Sequence, residues 1–308
     1  MSGTGRLRGV HRFAVATSLC TILLLMAGAL VTSNDAADSV PDWPLAYGKI
    51  IPPLIGGIRY EFTHRVVAGL VAILTLVLAI WLAAIDKRRW ARRLGWTALG
   101  LVIAQALLGA LRVLEGHPAI TATSHAILAQ LFFVTVVSLA LFTSQWWQIE
   151  TPPVDDSGSP PLRRLAVWTT AVIFGQLILG AAFRHGAFGI APHIVGAGVV
   201  AVMVIWTGRA AKKRFARVPA IRRSVIWLHA TFGTQILLGG AAYWAILASR
   251  NDPQPGLTYV ILSVAHVLVG ALTLASSLVL TLVCYHLIRS AESLPVASPA
   301  VQSGAGTR

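Results

Sequence analysis

Charge is what this 308-residue chain has little of. Asp, Glu, Lys and Arg make up 12% of it, about half of the roughly 25% found in soluble domains. Acidic groups are scarcest, 11 against 25 Lys and Arg. Cysteine is nearly absent, with Cys20 and Cys284 alone. Both fall inside apolar runs rather than in outer loops, which excludes a disulfide scaffold and leaves two small apolar residues. Also lacking is any polar stretch long enough to fold by itself. The longest gaps between apolar runs are 34–61 and 146–164, too short for a soluble domain. What remains is 56% hydrophobic, with a mean hydropathy of +0.72. Such a composition excludes disorder and predicts an all-α integral membrane protein.

A span takes about 20 apolar residues. Eight runs qualify, roughly 13–33, 62–85, 94–113, 121–145, 165–184, 190–208, 224–248 and 258–288. The first is 19 residues from Phe13 to Val31, longer than the h-region of a signal peptide, and reads as a retained helix. The net charge of +14 does not point to nucleic acid. With both termini in the cytoplasm, Lys49, Arg59, Arg65, Arg112, Arg184 and Arg250 lie outside and the other 19 basic residues inside. That bias is the positive-inside rule at work. It predicts a multi-pass protein of the cell membrane, with the lipid bilayer as its surroundings and no nucleic-acid partner.

The chain repeats itself. Gln105-Ala-Leu-Leu-Gly109 in span 3 recurs as Gln235-Ile-Leu-Leu-Gly239 in span 7. His64-Arg-Val-Val-Ala-Gly69 recurs as His193-Ile-Val-Gly-Ala-Gly198, and His125-Ala-Ile-Leu-Ala129 answers to His266-Val-Leu-Val-Gly270. Gln176 to Gly180 in span 5 is a further Gln-x-x-x-Gly, whose counterpart in span 1, Leu24 to Gly28, has lost the Gln. Two four-helix bundles follow, residues 1–145 and 165–290, with a cytoplasmic linker at 146–164 and a cytoplasmic tail at 291–308. Four spans per repeat make the halves parallel, related by a pseudo-twofold axis along the membrane normal. The glycines of Gln-x-x-x-Gly are expected to pack helices.

Of nine histidines, His64, His125, His193 and His266 stand apart. They occupy repeat-equivalent places on the four even-numbered spans, near the outer end. Position i+4, on the same helical face, is Ala68, Ala129, Ala197 and Gly270. An axial histidine must let a flat porphyrin lie against its helix, and a bulky i+4 neighbour would collide with it. Two facing helices that each present such a histidine make a bis-imidazole heme site, and two halves make two sites. Zinc is a poorer reading, because no thiolate and, apart from Glu61, no carboxylate accompanies the pairs. His11, His117, His185, His229 and His286 are read as packing or interfacial residues, although His117 and His185 could line the mouth of a site.

The halves are unequal. Glu61 stands one turn before His64, where the second half has Ile190. It is either one partner of an ion pair with Arg59 or Arg65, or a general base beside a reacting heme. The asymmetry places chemistry in the first half and electron storage in the second. Arg59, Arg65, Arg112 and Arg184 lie near outer span ends, as carboxylate clamps for propionates or as interfacial anchors. The loop Pro41-Asp-Trp-Pro-Leu-Ala-Tyr-Gly48 could fold over the first site as a lid.

The run Gly28-Ala-Leu-Val-Thr-Ser33, then Val40-Pro-Asp-Trp-Pro-Leu45, then Glu61-x-x-His64-Arg65 resembles the heme A synthases of bacteria and mitochondria, across all eight spans. The resemblance implies a monooxygenase-like oxidation of the C8 methyl of heme O to a formyl group, giving heme A for terminal oxidases. It implies that His64 and His125, with Arg65, bind the substrate heme O, that His193 and His266 ligate a heme b cofactor, and that Glu61 is catalytic. As partners it implies a heme O synthase and an electron donor, and it admits a homo-oligomer. One departure stands out. Many bacterial members carry two cysteines in the first outer loop, proposed to form a disulfide, and residues 34–60 here contain none.

A di-heme b-type electron-transfer protein linked to quinol would also use four histidines, but it leaves Glu61 and the Asp-Trp-Pro loop without a task. A carrier would show a matched pair of interrupted spans, and the sequence has none.

Overall fold

A computed structural model describes residues 3–115, 118–249 and 251–290. His117, Arg250 and the tail at 291–308 lie outside the described residues. Among the described residues, eight helices are long and apolar enough to cross a membrane. They are α1 (Gly3–Ser33), α2 (Ile58–Ile85), α3 (Arg89–Leu114), α4 (Ala119–Thr143), α6 (Leu162–Arg184), α7 (Ala191–Phe215), α8 (Pro219–Ala248) and α9 (Leu257–Leu287). Between α4 and α6 come a one-turn helix α5 (Gln145–Gln148) and a strand β1 (Val154–Asp156), and β2 (Ile288–Ser290) follows α9. The chain is an all-α multi-pass membrane protein.

Helices form here because hydrocarbon offers no partner for a backbone N–H or C=O, so each span must satisfy its own. The buried hydroxyls follow the same rule. Thr17, Thr21, Thr75 and Ser138 each donate to the carbonyl four residues back, at 2.7–2.9 Å. The large apolar side chains that remain exposed, such as Leu19, Leu23, Ile73 and Trp227, are those a lipid-facing surface requires.

In the first half α1, α2, α3 and α4 close a ring, each helix packed on the next and α4 back on α1. α6, α7, α8 and α9 do the same. Where the rings meet, α1 touches α9, α4 touches α6, and α4 touches α9. The first two contacts exchange under the repeat and the third maps onto itself, which is the pattern a pseudo-twofold axis produces. Two large apolar cores result, with a smaller cluster of Ala29, Val260 and Val264 between α1 and α9. One holds Val10, Leu78, Leu82, Val102 and Phe132, and the other Ile173, Val204, Leu228, Leu274 and Leu280. The second half is also laced by hydroxyls, Thr169 to Thr207 at 2.7 Å and Thr170 to Ser277 at 2.8 Å. Arg184 crosses the seam, donating to the Ala29 carbonyl at 3.1 Å and to Ser33 Oγ at 2.7 Å.

The spans predicted from hydropathy match these helices, but several helices run further at their basic ends. α7 continues to Phe215 through Lys212, Lys213 and Arg214, because a helix needs no apolar residues once it leaves the bilayer. The linker also holds more structure than its polarity suggests. β1 pairs in parallel with β2, Val154 opposite Ile288. Buried Asp156 accepts from Arg214 Nη1 at 2.7 Å and from the backbone N–H of Leu162 at 2.6 Å, anchoring the start of α6.

Candidate functional site

The four singled-out histidines come together two by two inside the two rings. His64 on α2 lies over Gly28 of α1, and His125 on α4 over Gly109 of α3. His193 on α7 lies over Gly180 of α6, and His266 on α9 over Gly239 of α8. A Cβ at these glycines would stand 3.1, 3.3, 2.9 and 2.9 Å from the respective Cε1 atoms, with Nδ1 the next nearest atom each time. All four rings therefore present the same edge to their seats. The glycines expected to pack helix on helix instead make room for an imidazole. That could not be read from the motif, because the seated ring belongs to the next helix.

In the second half the rings of His193 and His266 meet edge to face, centroids 6.2 Å apart and planes at 83°. An imidazole–metal bond of about 2 Å on each side, with roughly 1 Å more from each nitrogen to its ring centre, calls for centroids about 6 Å apart. The spacing of the two rings is that of a pair of axial imidazoles with an iron between them. The Nδ1 atoms of His64, His125 and His266 are buried with no side-chain partner, and each ring lies by the backbone of the residue four before its glycine seat, Leu24, Gln105 and Gln235.

The smallness expected at i+4 takes a second meaning at Gly270. It is buried, and a Cβ there would meet Gln235 Nε2 at 3.0 Å and Leu177 Cδ2 at 3.4 Å. The space admits a glutamine amide, which reaches His266 Nε2 at 3.3 Å. Ala68, Ala129 and Ala197 are half-buried.

Glu61 is 5% exposed. Its Oε1 accepts from Arg65 Nη2 at 2.6 Å and its Oε2 from the backbone N–H of Val40 at 3.0 Å. Of the two candidate partners, Arg65 is the one it meets; Arg59 instead donates to Tyr60 Oη at 2.9 Å. Arg65 also donates through Nη1 to the carbonyls of Asp42 at 2.8 Å and Leu45 at 3.0 Å. Glu61 and Arg65, one turn apart on α2, thus hold the Pro-Asp-Trp-Pro loop down beside the helix that carries His64. Asp42 closes the loop on itself, accepting from the N–H of Tyr47 at 2.6 Å and Gly48 at 2.8 Å. The Gly48 N–H, then that of Tyr47, hold its carboxyl below the usual range.

Arg112, at the outer end of α3, stands within electrostatic reach of Asp38, Glu61, His64, His125 and His185. Its Nε is buried without a hydrogen-bond partner. His185, which caps α6, approaches this group from the other half. Burial, with Arg112 and then Arg184 adding to it, pushes its imidazole down to about 4. The sequence placed His185 in or beside an outer loop, where it could line the mouth of a site, but did not say which half it would approach. His11, His229 and His286 have local surroundings away from the pairs: His11 Nδ1 meets the Ala140 carbonyl at 2.9 Å, His229 Nδ1 the Val225 carbonyl at 2.8 Å, and the His286 ring stacks on Trp147.

Eight spans in two unequal rings, each holding a pair of half-buried histidines, define an all-α membrane protein with two candidate imidazole sites. Residues 58–297 match the model of the COX15-CtaA family, described as cytochrome oxidase assembly protein. The chain belongs to that family. It is similar to the heme A synthase of Alkalihalophilus pseudofirmus, 39% identical over 132 residues, which cover 42% of each chain. Over 137 residues it is 36% identical to that of Halalkalibacterium halodurans, covering 43% of this chain and 44% of the relative. The heme A synthase of Symbiobacterium thermophilum is 26% identical over 264 residues, 76% of this chain and 85% of that one. The chain thus matches less than half the length of the first two relatives and most of the third.

Proposed function

We propose that this protein is a heme A synthase, oxidising the C8 methyl of heme O to a formyl group. The observation that carries the proposal is the set of four histidine rings, seated alike on four glycines, two in each of two unequal rings of helices. The family and the names of its relatives support the same reading.

His193 and His266 hold a heme b, whose contribution is to take and pass single electrons. His64 and His125 receive heme O. Turning a methyl into a formyl group removes four electrons and adds one oxygen, so the first site has to manage protons as well as bind a macrocycle. Glu61 is the acid–base group there. It is buried, lies one turn from His64 and is absent from the second half, where Ile190 stands. Arg65 holds Glu61 and the outer loop in place, which keeps water from the outer end of the pocket. Arg112, half-buried and with a buried, open Nε, is the group that would pair with a heme carboxylate. The excess of Lys and Arg at one end of the spans supports an orientation with both termini in the cytoplasm and the pairs of histidines near the outer face. A heme O synthase supplies the substrate, and a donor returns electrons to the heme b.

The test is pigment extracted from cells that make heme O but lack their own synthase. Expression of this chain should yield heme A. Purified protein that carries two bis-imidazole hemes yet leaves heme O unaltered would refute the assignment and favour the di-heme electron-transfer reading.

A further inference from the structure

The loop that Glu61 and Arg65 hold down has no counterpart of its length in the second half. Residues 34–57 join α1 to α2, whereas 185–190 join α6 to α7, their repeat equivalents. The later part of this loop is strongly apolar. From Trp43 to Ile58 the only charged residue is Lys49. Even so, Ile50, Ile51, Leu54 and Ile55 are 82%, 72%, 54% and 67% exposed, and Trp43, Leu45 and Tyr47 are exposed as well. A run of exposed apolar side chains of this extent marks a surface that something covers.

The tip is held in place. Ala46 and Lys49 exchange backbone hydrogen bonds at 2.9 and 3.0 Å, and Tyr47 Oη donates to the Ser39 carbonyl at 2.9 Å. Together with the bonds from Arg65, these fold the chain back along α2. Pro44, Ala46, Ile50 and Ile51 share with Phe62 and Val66 of α2 a cavity of about 390 Å³. Phe62 opens the apolar run of the second span. Val66, itself exposed, stands about 12 Å along the helix axis from Ile58. Ile50 and Ile51 therefore lie at a level where α2 already meets lipid.

Little in the tip asks for water. Pro52 and Pro53 have no N–H to satisfy. Ile55 donates to the Pro53 carbonyl at 3.0 Å and Ile58 to the Ile55 carbonyl at 3.1 Å. Trp and Tyr, here Trp43 and Tyr47, are the side chains that settle at a membrane–water boundary, and a lysine such as Lys49 can keep its stem in apolar surroundings and its charge among headgroups.

We infer that residues 43–58 anchor the loop in the protein's own bilayer, with the aliphatic side chains of residues 50–55 lying in the leaflet on that side, the outer one in the orientation proposed above. The segment is irregular, so it rests at the boundary between headgroups and acyl chains and goes no deeper, because hydrocarbon does not tolerate exposed backbone of this kind. The occupant is lipid because the patch runs into the lipid-facing side of α2. A single cation and no acid also give a soluble protein partner little to select by. The cover beside the first histidine pair is thereby fastened twice, to α2 through Arg65 and to the leaflet through its tip. The inference does not depend on the reaction proposed above.

The experiment uses the purified full-length chain with its two cysteines replaced, Cys20→Ser and Cys284→Ala. Single cysteines are placed in turn at Ile51, Ile55, Lys49 and, as a lipid-facing reference on α2, Ile73. Each is spin-labelled and reconstituted in vesicles of phosphatidylcholine and phosphatidylglycerol. Power saturation then compares collisions with oxygen, which concentrates in the acyl region, and with a water-soluble nickel chelate. Labels at Ile51 and Ile55 should favour oxygen, as the one at Ile73 does, while the label at Lys49 favours nickel. Labels at Ile51 and Ile55 that favour nickel as Lys49 does would put the tip in water and overturn the inference. Labels there that are immobilised and shielded from both reagents would show a protein surface on the patch, a second copy of this chain, and would also overturn it. A second measurement needs no label. Ile51→Ser with Ile55→Ser, in the otherwise unaltered chain in the same vesicles, changes two exposed side chains and should speed chymotrypsin cutting between residues 43 and 57 severalfold. An unchanged cutting rate overturns the inference.

Discussion

Adding a single methyl at each of the four seats separates ligand positioning from ligand chemistry. In Gly180→Ala the new Cβ stands 2.9 Å from His193 Cε1 and 3.2 Å from Nδ1, well inside ordinary carbon contact. The ring has to move by several tenths of an ångström, away from α6 and towards the facing His266 ring, whose centroid is 6.2 Å off. Overpacking of this kind costs about 1–3 kcal/mol. Because the displaced group is a proposed iron ligand, the cost should fall on heme binding, about 5- to 150-fold in affinity. Gly239→Ala meets His266 at the same 2.9 Å and should behave alike. Gly28→Ala, at 3.1 Å, should be milder, and Gly109→Ala, at 3.3 Å, the mildest. The assay is titration of the purified apoprotein with heme b, followed by the low-spin absorption bands and checked for stoichiometry by pyridine hemochrome. Unchanged affinity in Gly180→Ala, or a loss in Gly109→Ala as large as that in Gly180→Ala, would show that the glycines pack helices and nothing more.

Glu61→Gln keeps the shape of the side chain and one of its two acceptor atoms, so the loop should stay in place and the second-half heme spectrum should be normal. Heme A formation should fall about 10²–10⁴-fold, and near-normal heme A from this variant would reduce Glu61 to an anchor for Arg65. Arg65→Leu removes the donors to Glu61, Asp42 and Leu45 together; limited proteolysis should then cut the chain between residues 34 and 57 faster than in the parent, and an unchanged cutting rate would refute the clamp. His193→Ala and His266→Ala should each abolish one low-spin signal while the protein still inserts, and both signals persisting in either variant would break the assignment of that pair. The Asp42 turn has a sign that can be checked. A carboxyl held below its ordinary value binds fewer protons folded than unfolded, so its stabilisation is present above the unfolded pKa of about 3.9 and lost as pH falls through the lower folded value. Loop protection against protease should therefore persist to about pH 4 in the parent chain, and Asp42→Asn should remove that pH dependence.

The eight spans, their halves and the four histidines were legible because each depends on local composition or on a repeat within the chain. A span is about 20 apolar residues whatever surrounds it, and the offset between His64 and His193 or His125 and His266 survives in the order of residues. The sequence also marked Glu61 as the residue the second half lacks. The partner of Glu61 was narrowed to Arg59 or Arg65 and no further, since both lie within a turn or so and only the placement of the loop separates them. Arg65 reaches Val40, Asp42 and Leu45 while Arg59 turns to Tyr60.

What the tertiary structure alone decided concerns neighbours on different helices. Gln-x-x-x-Gly reads as a packing motif because its spacing describes one helix. Its glycine turns out to seat a ring carried by the next helix, and its glutamine to hold that ring or its backbone. Likewise His185, separated from His125 by 60 positions of sequence, comes near it only because α6 packs on α4 across the seam. Periodicity fixes which residues share a helix face, and hydropathy fixes how many helices cross the bilayer. Neither says which face of one helix meets which face of another, because lipid and protein interiors are equally apolar and the choice rests on close packing of small residues and a few hydrogen bonds.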